Sequence, residues 1–189
     1  FYFGVIGQIS YEPVVKCDFG LLLQLPDPVE VIIVGALKVS AGEDSDKLIC
    51  INVYFAGGIN FDEGMWFDAS IVNSHIVGIE LAGDMAFRLN WGGAAKGFLL
   101  SIGGFHPQYK PEEGMRCSDM KRLSLGLDYK IITIKLETYL AVTSNSFQIG
   151  ADLNLKIGWS KFGIKGSAGF DALFQFDPFL FMFVMRAGV

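Results

Sequence analysis

Between residues 77 and 91 the side chains change character at every second position. Val77, Ile79, Leu81, Met85, Phe87, Leu89 and Trp91 share one parity, with Gly83 the only gap. Glu80, Asp84, Arg88 and Asn90 share the other, with Gly78, Ala82 and Ala86. Side chains on an extended strand point alternately to opposite faces, so this run predicts a sheet with one oily side.

The same rhythm recurs along the chain. Segment 14–25 sets Val15, Cys17, Phe19, Leu21, Leu23 and Leu25 against Lys16, Asp18 and Gln24, and Pro26-Asp27-Pro28 ends it because proline cannot donate to a ladder. Segment 146–159 sets Phe147, Ile149, Leu153, Leu155, Ile157 and Trp159 against Gln148, Asp152, Asn154 and Lys156. Further strands are expected over 1–10, 29–41, 47–56, 65–72, 97–104, 122–129, 131–142, 162–176 and 179–189. Gly57-Gly58, Asp62-Glu63-Gly64, a turn near Asn73-Ser74, Gly92-Gly93 and a polar turn at 42–46 are read as the breaks between them. No segment shows a helical repeat. Some twelve strands with mostly short connections predict antiparallel neighbours. The fold class expected is therefore all-β: a long antiparallel meander, a curled or barrel-like sheet with one apolar face.

Phenylalanine is over-used, at 17 of 189 residues, mostly on strand-parity positions. The net charge of −5 without a basic cluster argues against nucleic acid as a partner. No apolar run approaches the ~20 residues of a membrane helix. Cys17, Cys50 and Cys117 are odd in number and widely spaced, and Cys17, on the apolar parity, reads as a buried free thiol. The chain starts and stops in strand-like sequence, so 1–189 is expected to be one β-meander region, a fragment of a longer β-rich protein whose remainder is its partner.

One connection is long. Residues 103–121 are polar, irregular and contain two prolines, Pro107 and Pro111. Loops beyond about 12–15 residues are usually functional or disordered. Phe105, His106, Pro107 and Tyr109 are the candidate residues there. Glu112, Glu113, Cys117 and Asp119 share the loop with His106, but no pair has a metal-site spacing, and a structural turn is the simpler reading of His106. His75, after Asn73-Ser74, reads as a solvated turn histidine. Asp84, Asp152 and Asp171 read as acids on a solvated strand face, and Trp66, Trp91 and Trp159 as caps of the apolar interior. No catalytic residue, metal ligand or cofactor is assigned.

Burying one large apolar side chain is worth ~1.5–3 kcal/mol, so ten left in water forfeit ~15–30 kcal/mol. That exceeds the ~5–15 kcal/mol stability of an ordinary domain, and the apolar face must be covered. The cover is the sheet itself, another part of a longer polypeptide, or lipid-like molecules. A hydrophobic ligand would be lined by Phe87, Leu89, Phe147, Leu153, Phe170 and Phe174. The function expected is a non-catalytic structural or binding β-scaffold. The alternatives are an enzyme with its site at 103–121 around His106, and an outer-membrane-type β-barrel.

The stretch 96–110, Lys-Gly-Phe-Leu-Leu-Ser-Ile-Gly-Gly-Phe-His-Pro-Gln-Tyr-Lys, with Pro111-Glu112-Glu113-Gly114, resembles a recurrent signature of large microbial proteins grouped as family 6603 of domains of unknown function. Leu81 to Arg88, Tyr139 to Asn145 and Gly169 to Phe179 are also similar to it. Together these cover most of 75–185, while 1–60 match only in general style. The resemblance implies a piece of a longer β-rich protein, cut before the family's last strands, and brings no activity, cofactor or site residue.

Overall fold

The computed structural model describes residues 1–43, 46–93, 96–112, 115, 117, 119–159 and 162–189. Twelve strands follow in chain order: β1 Tyr2–Tyr11, β2 Val15–Gln24, β3 Glu30–Glu43, β4 Asp46–Asn60, β5 Gly64–Ile76, β6 Ile79–Asn90, β7 Gly97–Ile102, β8 Leu123–Tyr129, β9 Ile132–Thr143, β10 Ser146–Trp159, β11 Phe162–Gln175 and β12 Leu180–Gly188. All pairings are antiparallel, and the strands form a single sheet in sequence order. This is the meander that the alternation predicts.

β7 and β8 occupy one place in the sheet. The second half of β6 pairs with β7, from Met85↔Ile102 to Asn90↔Gly97, and its first half with β8, from Ile79↔Leu127 to Ala82↔Ser124. β9 repeats the division on the other side. The two short strands are thus one strand interrupted at Gly103, where the chain leaves the sheet and returns at Leu123. Gly103 and Gly104 make the exit with φ of +74° and +86°, a left-handed backbone that glycine adopts without a Cβ penalty. This local ring of β6, β7, β9 and β8 is the only closure: among the described residues no pairing joins β1 to β12, so the sheet is not a clear barrel.

Register carries the apolar parity across the whole sheet. One row runs Val5, Leu21, Ile33, Gly57, Phe67, Phe87, Leu100, Val142, Phe147, Phe174 and Phe181, each directly opposite the next. Glycine gaps in the pattern are filled from the neighbouring strand. A Cβ on Gly7 would lie 2.6 Å from Cζ of the opposed Phe19, and one on Gly57 2.9 Å from Cδ2 of the opposed Phe67. Gly35 faces Phe55, Gly58 faces Trp66 and Gly150 faces Tyr139 in the same manner. An aromatic ring laid over a cross-strand glycine restores the packing that the missing side chain removes.

Three local expectations are corrected. Gly57-Gly58 do not break the chain: β4 continues to Asn60 because Phe67 and Trp66 supply the missing bulk. Asn73-Ser74 form no hairpin turn. They sit at a bulge of β5, where the register shifts between Ile71 and Ser74, and the turn follows at Val77-Gly78. Val77 therefore leaves the strand, exposed and with φ of +49°. His75 is a strand residue, its Nε2 3.0 Å from the Lys47 carbonyl oxygen.

Candidate functional site

Two surfaces hold the residues of interest, one on each side of the sheet. On the apolar side Phe87, Phe147 and Phe174 lie in the single row traced above. Leu89 is two residues further along β6, and Phe170, opposite Ala151, and Leu153 extend the patch across β10 and β11. The rings of Phe174 and Phe181 meet at 4.4 Å and those of Phe170 and Phe183 at 6.3 Å. All six candidates therefore share one face. Leu153 is 42% exposed, with Phe147 and Phe174 close behind, so this face lies open to solvent.

The buried core lies on the opposite, polar side. The described residues of the segment, 103–112, 115, 117 and 119–122, lie across that side as a strap. Beneath it runs a row of small or polar residues, Ala86, Ser101, Ala141 and Gln148, ending on Leu173, all at most 2% exposed. Alanine and serine at these positions let the strap backbone come close to the sheet. Its bolts are polar. The His106 N–H donates to Gln148 Oε1 at 2.9 Å, and Gln148 Nε2 donates to Ser146 Oγ at 2.9 Å. Ser101 Oγ donates to the Gly104 carbonyl at 2.7 Å. The Arg122 guanidinium stacks 3.9 Å above the Tyr139 ring and donates to the Gly103 carbonyl at 3.0 Å.

A charged cluster continues this network toward the sheet edge. Tyr139 Oη donates to Asp171 Oδ1 at 2.9 Å, and Arg186 reaches Asp171 at 2.5 Å and Asp152 at 3.0 Å. Burial alone would raise the Asp171 carboxyl, but the hydrogen bonds from Arg186 and Tyr139 outweigh it and hold the group below the ordinary aspartate value. Burial, and then the bond to Asp171, push the Tyr139 phenol well above its ordinary range. At the other end of the strap, burial raises the Cys117 thiol, keeping it in the protonated form that is a poor nucleophile and metal ligand.

Three expectations change here. Asp171 is no solvated acid but is 3% exposed under the strap. Its burial comes from residues far away in sequence, which local alternation cannot report. Cys17 is half-buried rather than buried, because nothing covers its face of the sheet. Trp66 lies on the polar side over Gly58, Trp91 donates from a turn to the Phe61 carbonyl at 2.9 Å, and Trp159 is exposed at a hairpin end. None of the three caps an apolar interior.

His106 is 3% exposed. Its Nδ1 accepts from the Gln108 N–H at 3.2 Å, which leaves the proton of the neutral ring on Nε2, where it has no partner. Burial lowers its pKa, the nearby Asp171 opposes this, and Arg122 and Arg186 reinforce it. Phe105 and Tyr109 stack at 5.5 Å on either side of the His106-Pro107 bend. Of the residues that could join His106 in a metal site, Glu113 lies outside the described residues. Among those described, no three His, Cys, Asp or Glu side chains converge. A hollow of about 690 Å³ opens on the polar side between β6 and β9, lined among others by His75, Glu80, Asp128 and Lys135. None of the six apolar candidates lines it.

These features define an all-β region built on one antiparallel meander, with a strap on its polar side and, among the described residues, no pairing between its two edges. The chain belongs to the family of unknown function DUF6603, whose model matches residues 1–189. The match takes in residues 1–60, which by their motifs resemble the family only in style. No curated protein and no solved structure matches the chain.

Proposed function

We propose that this domain is a non-catalytic β-scaffold whose work is to present an apolar face for covering by the remainder of a longer polypeptide. The observation that supports this is the apolar row from Val5 to Phe181, interrupted only at Gly57, whose members are part-exposed in the middle and exposed toward both edges. An exposed apolar patch of more than a few hundred Å² marks an interaction surface. The burial of His106, 3% exposed, supports a scaffold over an enzyme at 103–121, since a substrate would first have to displace whatever covers the ring.

Lipid-like molecules are a second cover for the same face. Phe87, Leu89, Phe147, Leu153, Phe170 and Phe174 offer no polar group to select an occupant, which suits acyl chains as well as protein. Both versions predict that the isolated chain binds an environment-sensitive apolar dye, and that Phe87→Lys with Phe147→Lys abolishes the signal. Native mass spectrometry separates them: copurifying lipid supports the second version, and a clean chain mass the first. A chain that binds neither dye nor lipid would remove the proposal.

A further inference from the structure

We propose that residues 105–110 are an acid-released part of the strap: a proton taken up by His106 drives its ring out of the fold and frees the segment from the polar side, while the sheet beneath stays paired. The inference concerns the polar side and is independent of what covers the apolar face.

One residue anchors the segment. Of residues 105–110 only His106 is buried; Pro107, Gln108 and Lys110 are exposed, and Phe105 and Tyr109 are part-exposed. The same residue supplies a bond to the sheet, its N–H donating to Gln148 Oε1 at 2.9 Å. Other contacts close the segment on itself: the Tyr109 N–H donates to the His106 carbonyl at 2.9 Å, and Phe105 stacks on Tyr109. Gly103 and Gly104 are held separately, by Arg122 and by Ser101 Oγ, so the exit from the sheet does not depend on the ring. Local openings of such a segment cost less than global unfolding.

The closed ring has no place for a second proton. A backbone amide can only donate, so Nδ1, 3.2 Å from the Gln108 nitrogen, is an acceptor. Protonation puts an N–H on Nδ1 and sets two donors against each other. Nε2 has no partner, so no acceptor stands ready to share the new charge. An imidazolium without hydrogen-bond partners at 3% exposure is costly. In water both of its N–H groups are solvated.

The surroundings push the same way. Burial weighs most against a positive ring; of the charges around it, Asp171 of β11 favours one, while Arg122 and Arg186 of β12 oppose it. Asp171 is committed elsewhere: its Oδ1 accepts from Tyr139 Oη of β9 and its Oδ2 from Arg186. Asp152 of β10 is also paired with Arg186. β7 and β10 bring the uncharged Ser101 and Gln148 to the strap. Despite its burial, Asp171 is held low by Arg186 and Tyr139, so that cluster outlasts the protonation of His106. Release therefore uncovers the fully buried Gln148 while the charged cluster beside it stays whole.

The test uses the full 189-residue chain. Amide hydrogen exchange is followed from about pH 7 to about pH 4.5 and corrected for the intrinsic pH dependence of exchange. Protection of the His106 and Tyr109 amides should fall below about pH 6.5, by up to about tenfold per pH unit, because the open segment takes up one proton that the closed one refuses. Leu100 and Val142, opposed on β7 and β9, should keep theirs. His106→Asn, which retains an acceptor for the Gln108 N–H and cannot be charged, should stay protected throughout. In the wild type the titration of the ring, read from its carbon shifts by NMR, should coincide with the release, and this decides the matter if the variant does not fold. Protection that persists to the lowest pH would overturn the proposal. So would a ring that titrates while the segment stays closed, as it would if Asp171 received the imidazolium in place. Loss of the Leu100 and Val142 protection at the same pH, or a release that His106→Asn retains, would overturn it as well.

Discussion

The carboxylate of Asp84 accepts a hydrogen bond from the Lys121 N–H at 2.7 Å, while the Asp84 N–H donates to the Lys121 carbonyl at 3.2 Å. The Asp84 carbonyl accepts from the Gly103 N–H at 2.7 Å. One residue of β6 therefore clasps both ends of the strap, at the gap between β7 and β8. Asp84→Ala should cost about 1–2 kcal/mol, the worth of a charge-assisted hydrogen bond at a part-exposed site. Hydrogen exchange should show the Lys121 amide losing protection while Leu100 keeps it. Asp84→Asn, which retains an acceptor, should lose less.

Gly150 is where the sheet, Tyr139 and Asp171 come together. An added Cβ would enter the Tyr139 ring and lie 2.7 Å from Asp171 Oδ1. Gly150→Ala should destabilise by about 1–3 kcal/mol through overpacking. In urea the midpoint should fall with little change in slope. Tyr139→Phe, which removes only the hydroxyl that donates to Asp171, should be milder.

Acid should destabilise the chain in two stages. The pKa of His106 is lowered in the fold, mainly by burial, so below its unfolded value of about 6.5 the unfolded chain takes up a proton that the native state refuses. Stability should thus fall as pH drops from about 6.5, at up to ~1.4 kcal/mol per pH unit, until the native imidazole protonates as well. Asp171 is depressed in the fold, so its contribution is present above about pH 4 and is lost as pH falls further. His106→Asn, whose Oδ1 can stand in for Nδ1 toward the Gln108 N–H, should flatten the upper step and leave the lower one. Urea midpoints from pH 7 to pH 3 on both proteins check this.

Val77 holds a left-handed conformation, φ +49°, that β-branched side chains disfavour. It is exposed, so it gains little by packing. Val77→Asn should stabilise by about 1 kcal/mol, since asparagine suits the first central position of such a hairpin turn before glycine. A higher urea midpoint with an unchanged slope would show it, and a lower one would contradict it.

Local alternation carried most of the sheet. Residues 146–159 were legible as a strand end to end because nothing in their pairing departs from period two. The failures share a cause. β4 runs on through Gly57-Gly58 because Phe67 and Trp66 come from another strand, and a glycine pair in isolation reads as a break. Val77 continues the apolar parity, so the pattern cannot show that the backbone has already turned. The loop around His106 was visible as an excursion, but its destination on the polar side was not. That placement rests on Gln148 and Tyr139, tens of residues away, and on Ser101, whose small or polar character signalled only solvent. The faces were therefore legible and their coverings were not.

The chain re-enters the sheet at Leu123 in line with the β7 strand it left at Gly103. The neighbouring strands β6 and β9 run past the opening and hold their spacing whatever spans it. A detour of another length or composition could be grafted there with no change of register elsewhere. The polar side is thus where the excursion can change while the ladder beneath keeps its alignment.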